Sequence, residues 1–361
     1  MANVLDYLDW RGDLLFAQDP VNEIDMLIFS ILSYTNMDGL TEGEDITIEE
    51  LYRRYEAAGY DQSRYQYDPK PLLEKASHAV RTKDIIVSGY VNHLDPEQNI
   101  QFSAMTFLMG DHTCCIAYRG TDPTLTGWHE DFYFSCMEQT PAQLEATEYL
   151  NGCDGEKIFI TGHSKGGNLA IYAGTYCHAE LQDKIQKIVS FDGPGFQNEM
   201  LYKDIYHKQL WKMRRFAPEN SVIGQLMHND ARQTVMKSNE KSLLQHDPYS
   251  WQILGKSFEE TELSRYSLFV KEAIDTWLEG ISLKDRKRFI DTIFEVAEAS
   301  GYHSIKDIDE HRFETFKAVV KALSDTDRKQ IKQVTEILSK FASDSSDVFW
   351  NEIRKNLPWE V

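Results

Sequence analysis

The sequence predicts an α/β fold built on a mostly parallel sheet. Three observations carry this. Strand-like apolar runs alternate with helical periods between about residues 101 and 237, the pattern that parallel strands joined by crossover helices produce. One of those strands, 157–161, runs through Gly162-His-Ser-Lys-Gly-Gly directly into an apolar-periodic helix. The chain has 361 residues, 42% of them hydrophobic, enough for one large core and a smaller satellite.

Taken in order, the first eighty residues read as helical. Thr47-Ile-Glu-Glu resembles a capping box ahead of Leu51-Tyr-Arg-Arg-Tyr-Glu-Ala-Ala, and Pro71 opens another helix. Residues 101–109, the turn Gly110-Asp-His and residues 113–118 form a hairpin. A helix at 141–150 precedes the strand 157–161, the motif helix follows, and strands come at 185–191, 211–216 and 234–237. Past about Gly255 the chain turns to charged amphipathic helices with N-caps at Ser282, Ser304 and Ser324 and no further strand. The expected division is an N-terminal helical segment, 1–80, packed on an α/β core, 81–255, followed by a C-terminal helical subdomain, 256–361. Lys284-Asp-Arg-Lys-Arg reads as a solvated helix face. Repeats, low-complexity tracts and sustained heptads are absent from the sequence.

The formal net charge of −20 disfavours nucleic acid or an anionic membrane surface as a default partner. Met26-Leu-Ile-Phe-Ser-Ile-Leu-Ser-Tyr is too short to span a bilayer, so no integral membrane segment is expected. Asp6, Asp9 and Asp13 stand where an export signal carries basic residues, and a cytoplasmic location is expected. The five cysteines, an odd number without metal-ligand spacing, fit reduced thiols, with Cys114 and Cys115 inside a buried strand.

The chemistry centres on Ser164. In a tight strand-to-helix turn a side chain at position 162 or 166 would collide, and Gly162 and Gly166 remove both. Gly167 lets the helix approach the strand. The serine then stands at a helix N-terminus, where free N–H groups and the positive dipole end favour a developing oxyanion. A serine hydroxyl needs a base, and the base a third group to hold its tautomer. Downstream, His178 follows too closely on the motif helix, His207 precedes the next strand, His228 sits in a helical stretch, and His303 and His311 belong to the tail. That leaves His246, in Gln245-His-Asp-Pro-Tyr-Ser-Trp. For the acid, Asp192 ends a strand at Gly193-Pro-Gly and is preferred, with Glu219 in Ala217-Pro-Glu-Asn-Ser as the alternative. Oxyanion donors are expected from the backbone of Lys165 and from Thr121 in Tyr118-Arg-Gly-Thr-Asp. The Lys165 side chain itself is expected to face solvent. Segments 131–140 and 196–211 read as covers over the site.

Arg119-Gly-Thr-Asp, then Gly127-Trp-His-Glu-Asp, then Gly162-His-Ser-Lys-Gly-Gly resembles the class 3 (fungal-type) lipase pattern. The chain is more similar still to bacterial lipase-like proteins of unknown function, which share Gly-His-Ser-Lys-Gly-Gly-Asn, Phe-Asp-Gly-Pro-Gly-Phe and Gln-His-Asp-Pro-x-Ser-Trp. The resemblance spans about residues 80–255. It implies an α/β-hydrolase fold, a Ser164 nucleophile, an oxyanion role for Thr121 and a His246 base. The chain departs from the pattern at Pro218-Glu-Asn-Ser-Val-Ile-Gly, where class 3 lipases carry Asn-Asp-x-Val-Pro with their acid, so the acid stays open between Asp192 and Glu219. The implied activity is serine-dependent hydrolysis of a carboxylic ester, with a small-molecule or lipid ester as substrate and no cofactor. Two alternatives stand beside it: a non-catalytic scaffold with a partner-binding tail, and an acyltransferase or thioesterase using the same residues.

Overall fold

The computed structural model describes residues 1–41, 43–59, 68–122, 124–280, 282–299 and 301. Its N-terminal part is α1 (Val4–Arg11), α2 (Glu23–Leu32), the short strand β1 (Ile46–Thr47), α3 (Ile48–Ala58) and α4 (Lys70–His78). Thr47 caps α3 by accepting from the Glu50 amide, but the Glu50 side chain turns to Arg53 and Arg54, so the capping box is only half formed. The strands β2 (Ile86–Asp95), β3 (Ile100–Leu108) and β4 (Thr113–Tyr118) form an antiparallel meander. The strand 86–95 is not among those expected. Its residues are mostly solvent-facing, so it lacks the apolar run that marks its neighbours.

After β4 come α5 (Leu125–Tyr133), α6 (Pro141–Asn151), β5 (Lys157–His163), α7 (Lys165–Tyr176), α8 (Ala179–Lys184), β6 (Ile185–Phe191), α9 (Asn198–Leu201), α10 (Asp204–Gln209), β7 (Met213–Pro218) and β8 (Arg232–Met236). Strands β4 to β8 are parallel, and all eight lie side by side in chain order. This is the α/β fold with a mostly parallel sheet that the sequence predicts.

Sequential order has a consequence for coverage. Right-handed crossovers that always step in one direction leave every connecting helix on the same face of the sheet. Residues alternate between faces along a strand, and the two cores separate accordingly. Cys114, Ile116 and Tyr118 pack with α6 to α10, whereas Cys115 and Ala117 pack with α1 to α4. The second face therefore depends on the N-terminal helices. Helix α2 lies beneath the centre of the sheet, its Ser30 hydroxyl hydrogen-bonded to Thr161 of β5 at 2.8 Å. Its Asp25 holds Arg81 in a fully buried bidentate pair at 2.6 and 2.7 Å, and Arg81 also donates to the carbonyls of Leu14 and Asp19.

The tail begins with a hairpin rather than a helix, β9 (Ile253–Leu254) against β10 (Ser257–Phe258), turned at Gly255 with φ +64°. Phe258 enters the same core as α2, so the expected division at residue 255 falls inside a hairpin that belongs to the core. The helices α11 (Arg265–Glu279) and α12 (Leu283–Ala299) follow. Ser282 caps α12 by accepting from the Asp285 amide; the caps expected at Ser304 and Ser324 lie outside the described residues. Helix α12 docks on α5, with Phe294 stacked on His129 at 4.4 Å and Asp291 accepting from Tyr133 at 2.6 Å.

Candidate active site

Ser164 is the one residue between β5 and α7, and its backbone sits at φ 59°, ψ −129°, a region that costs a non-glycine residue strain energy. The surroundings hold it there. Its N–H donates to the Phe191 carbonyl at 2.9 Å, and its carbonyl accepts from the Gly167 N–H at 2.9 Å. A Cβ at Gly162 would lie 2.2 Å from the Gly166 carbonyl carbon, and one at Gly166 would lie 2.0 Å from the Tyr118 carbonyl oxygen. Both collisions are with backbone, which cannot swing away, so the turn requires glycine at both places.

One strand over, Asp192 directly follows β6, and its φ of 48° turns the chain sharply into Gly193-Pro-Gly. Its amide donates to the Phe216 carbonyl of β7 at 2.7 Å, which fixes the turn. The carboxylate is buried. Oδ1 accepts from the Ser221 hydroxyl at 2.5 Å and the Gly224 amide at 3.1 Å, and Oδ2 accepts from His246 Nδ1 at 2.6 Å. A carboxylate can only accept, so the His246 proton sits on Nδ1 and Nε2 keeps the lone pair. His246 ends a short 3₁₀ turn, Ser242–His246, pinned by the Trp251 indole N–H on the Gln245 carbonyl at 2.7 Å.

Of the two acids, the structure brings Asp192 to His246 and takes Glu219 elsewhere, to Gln245 at 3.4 Å. The other histidines lie apart from this contact. His178 caps α8, His207 is on α10, and His228 is not helical as expected but pairs in extended backbone with Phe196. His303 and His311 lie outside the described residues. Sequence reasoning passed over His163, between Gly162 and Ser164. It is fully buried, its ring 4.5 Å from that of His246, with Nε2 donating to the His246 carbonyl at 2.9 Å.

The loop after β4 lies against the serine, since a Cβ on Gly120 would come within 3.1 Å of Ser164 Cβ. Thr121 is buried, and its hydroxyl donates to Asp131 of α5. Burial pushes the Asp131 carboxyl up to about 7, against the opposing pull of Lys165, whose Nζ stands 3.8 Å away.

The Lys165 side chain does not face solvent. It is fully buried, and Nζ donates to Glu130 Oε2 at 2.5 Å, to the Gln101 carbonyl at 2.7 Å and to Gln101 Oε1 at 3.3 Å. The physical reason is that all three ammonium protons find acceptors inside, and one is an equally buried carboxylate. Glu130 in turn accepts from the amides of Gln101 at 3.1 Å and Ala142 at 2.8 Å. The backbone N–H of Lys165 opens α7, where no intrahelical acceptor is available to it.

A cavity of about 470 Å³ lies between α6, α7 and the 195–203 segment, lined by Phe134, Met137, Asn168, Tyr172, Phe196 and Met200. Residues of both expected cover segments line it, but Ser164, Asp192 and His246 do not. Among the described residues, no group of three or more His, Cys, Asp or Glu is placed to hold a metal ion, and no helix is long and apolar enough to cross a membrane.

A family model described as Mbeg1-like matches residues 76–295. No curated protein matches the chain. Among solved structures, M37 lipase is similar at 18% identity and a TM-score of 0.37, over 57% of this chain and 70% of that one. The native Rhizomucor miehei lipase propeptide complex is similar at 13% identity and a TM-score of 0.40, over 65% and 80%. A fungal lipase–inhibitor complex is similar at 14% identity and a TM-score of 0.34, over 59% and 77%.

Proposed function

The chain belongs to the Mbeg1-like family, and we propose that it is a serine hydrolase that cleaves a carboxylic ester through an acyl-enzyme. The observation that carries the reading is the 2.6 Å bond from His246 Nδ1 to buried Asp192, at the end of the strand next to the one that leads into Ser164 on its strained strand-to-helix turn. In this reading the Ser164 hydroxyl attacks the ester carbonyl while His246 Nε2 takes its proton, and Asp192 stabilises the imidazolium that results. The backbone N–H groups of Lys165 and Thr121 receive the oxyanion. Collapse expels the alcohol, which leaves with the proton from His246. Water, deprotonated by the same nitrogen, then releases the acid and restores the serine. Ester substrates of low molecular weight or lipid type suit this chemistry, and five free thiols suit a reducing, cytoplasmic setting.

A fluorophosphonate probe and a short p-nitrophenyl ester test the reading together. The wild type should label and turn over, and Ser164→Ala should abolish both, because losing a triad nucleophile costs about a millionfold in turnover. Esterase activity undiminished in rigorously purified Ser164→Ala would show the turn to be structural.

A further inference from the structure

His163 and Tyr34 form a buried connection that the proposed chemistry does not itself use. The Nε2 of His163 faces a carbonyl, that of His246, so Nε2 carries the proton. With the ring neutral, Nδ1 is an acceptor, and its partner at 3.1 Å is the Tyr34 hydroxyl, which therefore donates. Burial holds His163 well below the usual histidine range, and neighbouring His246 pushes it the same way. The Tyr34 hydroxyl also lies against Gly120, in the loop after β4. The contact is close: a Cβ on Gly120 would fall 2.1 Å from the Tyr34 hydroxyl oxygen. The connection thus runs from Gly120, packed on Tyr34, through Tyr34, which donates to His163, to the carbonyl of His246, which accepts from His163.

The two ends of this chain are the loop that offers Thr121 to the oxyanion and the loop that carries the base. Both follow strand ends, the places where backbone is least restrained. Tyr34 comes from the segment just after α2, on the other face of the sheet. We infer that Tyr34 and His163 are positioning residues that tie the oxyanion loop to the base loop through the interior, holding Thr121 and His246 at one separation across Ser164. This rests on the hydrolase reading for its functional meaning, while the tie itself is a statement about geometry. Misplacing reacting groups by about an ångström costs on the order of a hundredfold in rate, and a common buried anchor is what prevents it.

The test is Tyr34→Phe in the full chain, read by ester kinetics and by amide hydrogen exchange. We expect kcat to fall about 10- to 100-fold with KM within about twofold, since substrate binding is not what the tie governs. Exchange should quicken together at residues 120–121 and 245–247. His163→Leu removes both the acceptor for Tyr34 and the donor to the His246 carbonyl, so it should quicken exchange at both segments as Tyr34→Phe does. Wild-type kcat in Tyr34→Phe, or exchange that quickens at Gly120 alone, overturns the inference. If the wild type neither labels at Ser164 nor hydrolyses esters, the hydrolase reading fails by itself, and the exchange measurement alone decides whether the tie exists.

Discussion

Lys165→Met isolates the buried ion pair behind the serine. The lysine and glutamate side chains are both fully buried, and the ammonium makes its closest contact with Glu130, at 2.5 Å. Methionine fills nearly the same volume and keeps the backbone amide at the start of α7. It leaves Glu130 as a buried carboxylate without a counter-charge and takes the donor from the Gln101 carbonyl. Breaking one partner of such a pair costs about 3–5 kcal/mol. The amides of Gln101 and Ala142 still hold the orphaned carboxylate, which argues for the lower end. At about 2–4 °C per kcal/mol for a large domain, a loss near 3 kcal/mol lowers Tm by roughly 6–12 °C. Equilibrium denaturation and thermal scans measure both quantities. Lys165→Met with Glu130→Gln should recover part of the loss, because the uncompensated charge is gone. A single-variant loss below about 1 kcal/mol would mean that water reaches the pair, and the account of a dry cluster behind the serine would be wrong.

Two further outcomes are open to measurement. Asp192→Asn should lower ester turnover by about ten-thousandfold through the wrong His246 tautomer, whereas Glu219→Gln should leave it nearly unchanged; equal, mild effects would remove Asp192 from its proposed role. Asp131 titrates at about 7 when folded, above its unfolded value, so the native state keeps a proton that the unfolded chain gives up near pH 4. Stability should therefore fall between about pH 4 and 7 by an amount that Asp131→Asn lacks, and parallel pH curves for the two proteins would contradict this.

What the sequence made legible was local. The Gly-Ser-Gly turn announces itself because backbone collisions two residues either side of Ser164 leave only glycine, and the collisions are short-range. Asp192 was readable as a strand-end residue before Gly-Pro-Gly, but its preference over Glu219 depended on where His246 would come to rest. The Lys165 side chain was misjudged for a related reason. Its partner Glu130 lies on a different helix, and nothing near Lys165 in the chain says that a buried carboxylate awaits it. Tyr34 and His163 were missed because each looks ordinary in its own segment, one at the end of an apolar helix and the other at a variable position of the motif. A signal was present for His163 in retrospect: a histidine ending an apolar strand has no water, so its two nitrogens must find partners inside. The strand 86–95 escaped because its exposed, polar face hides the period that a buried strand displays.

The sequential order of the strands also bears on how the chain is made. Every residue from 24 to 32 of α2 is buried, yet β5, on which it rests, is synthesised long after it. Through much of its translation an emerging chain thus has only the other N-terminal helices to cover this apolar helix. Chains in that condition aggregate readily at ordinary concentrations. The same layering that puts the crossover helices on one face thus leaves the sheet-facing side of α2 without its final partner until β5 has been made, and slow translation of residues 33–156 would lengthen that exposure.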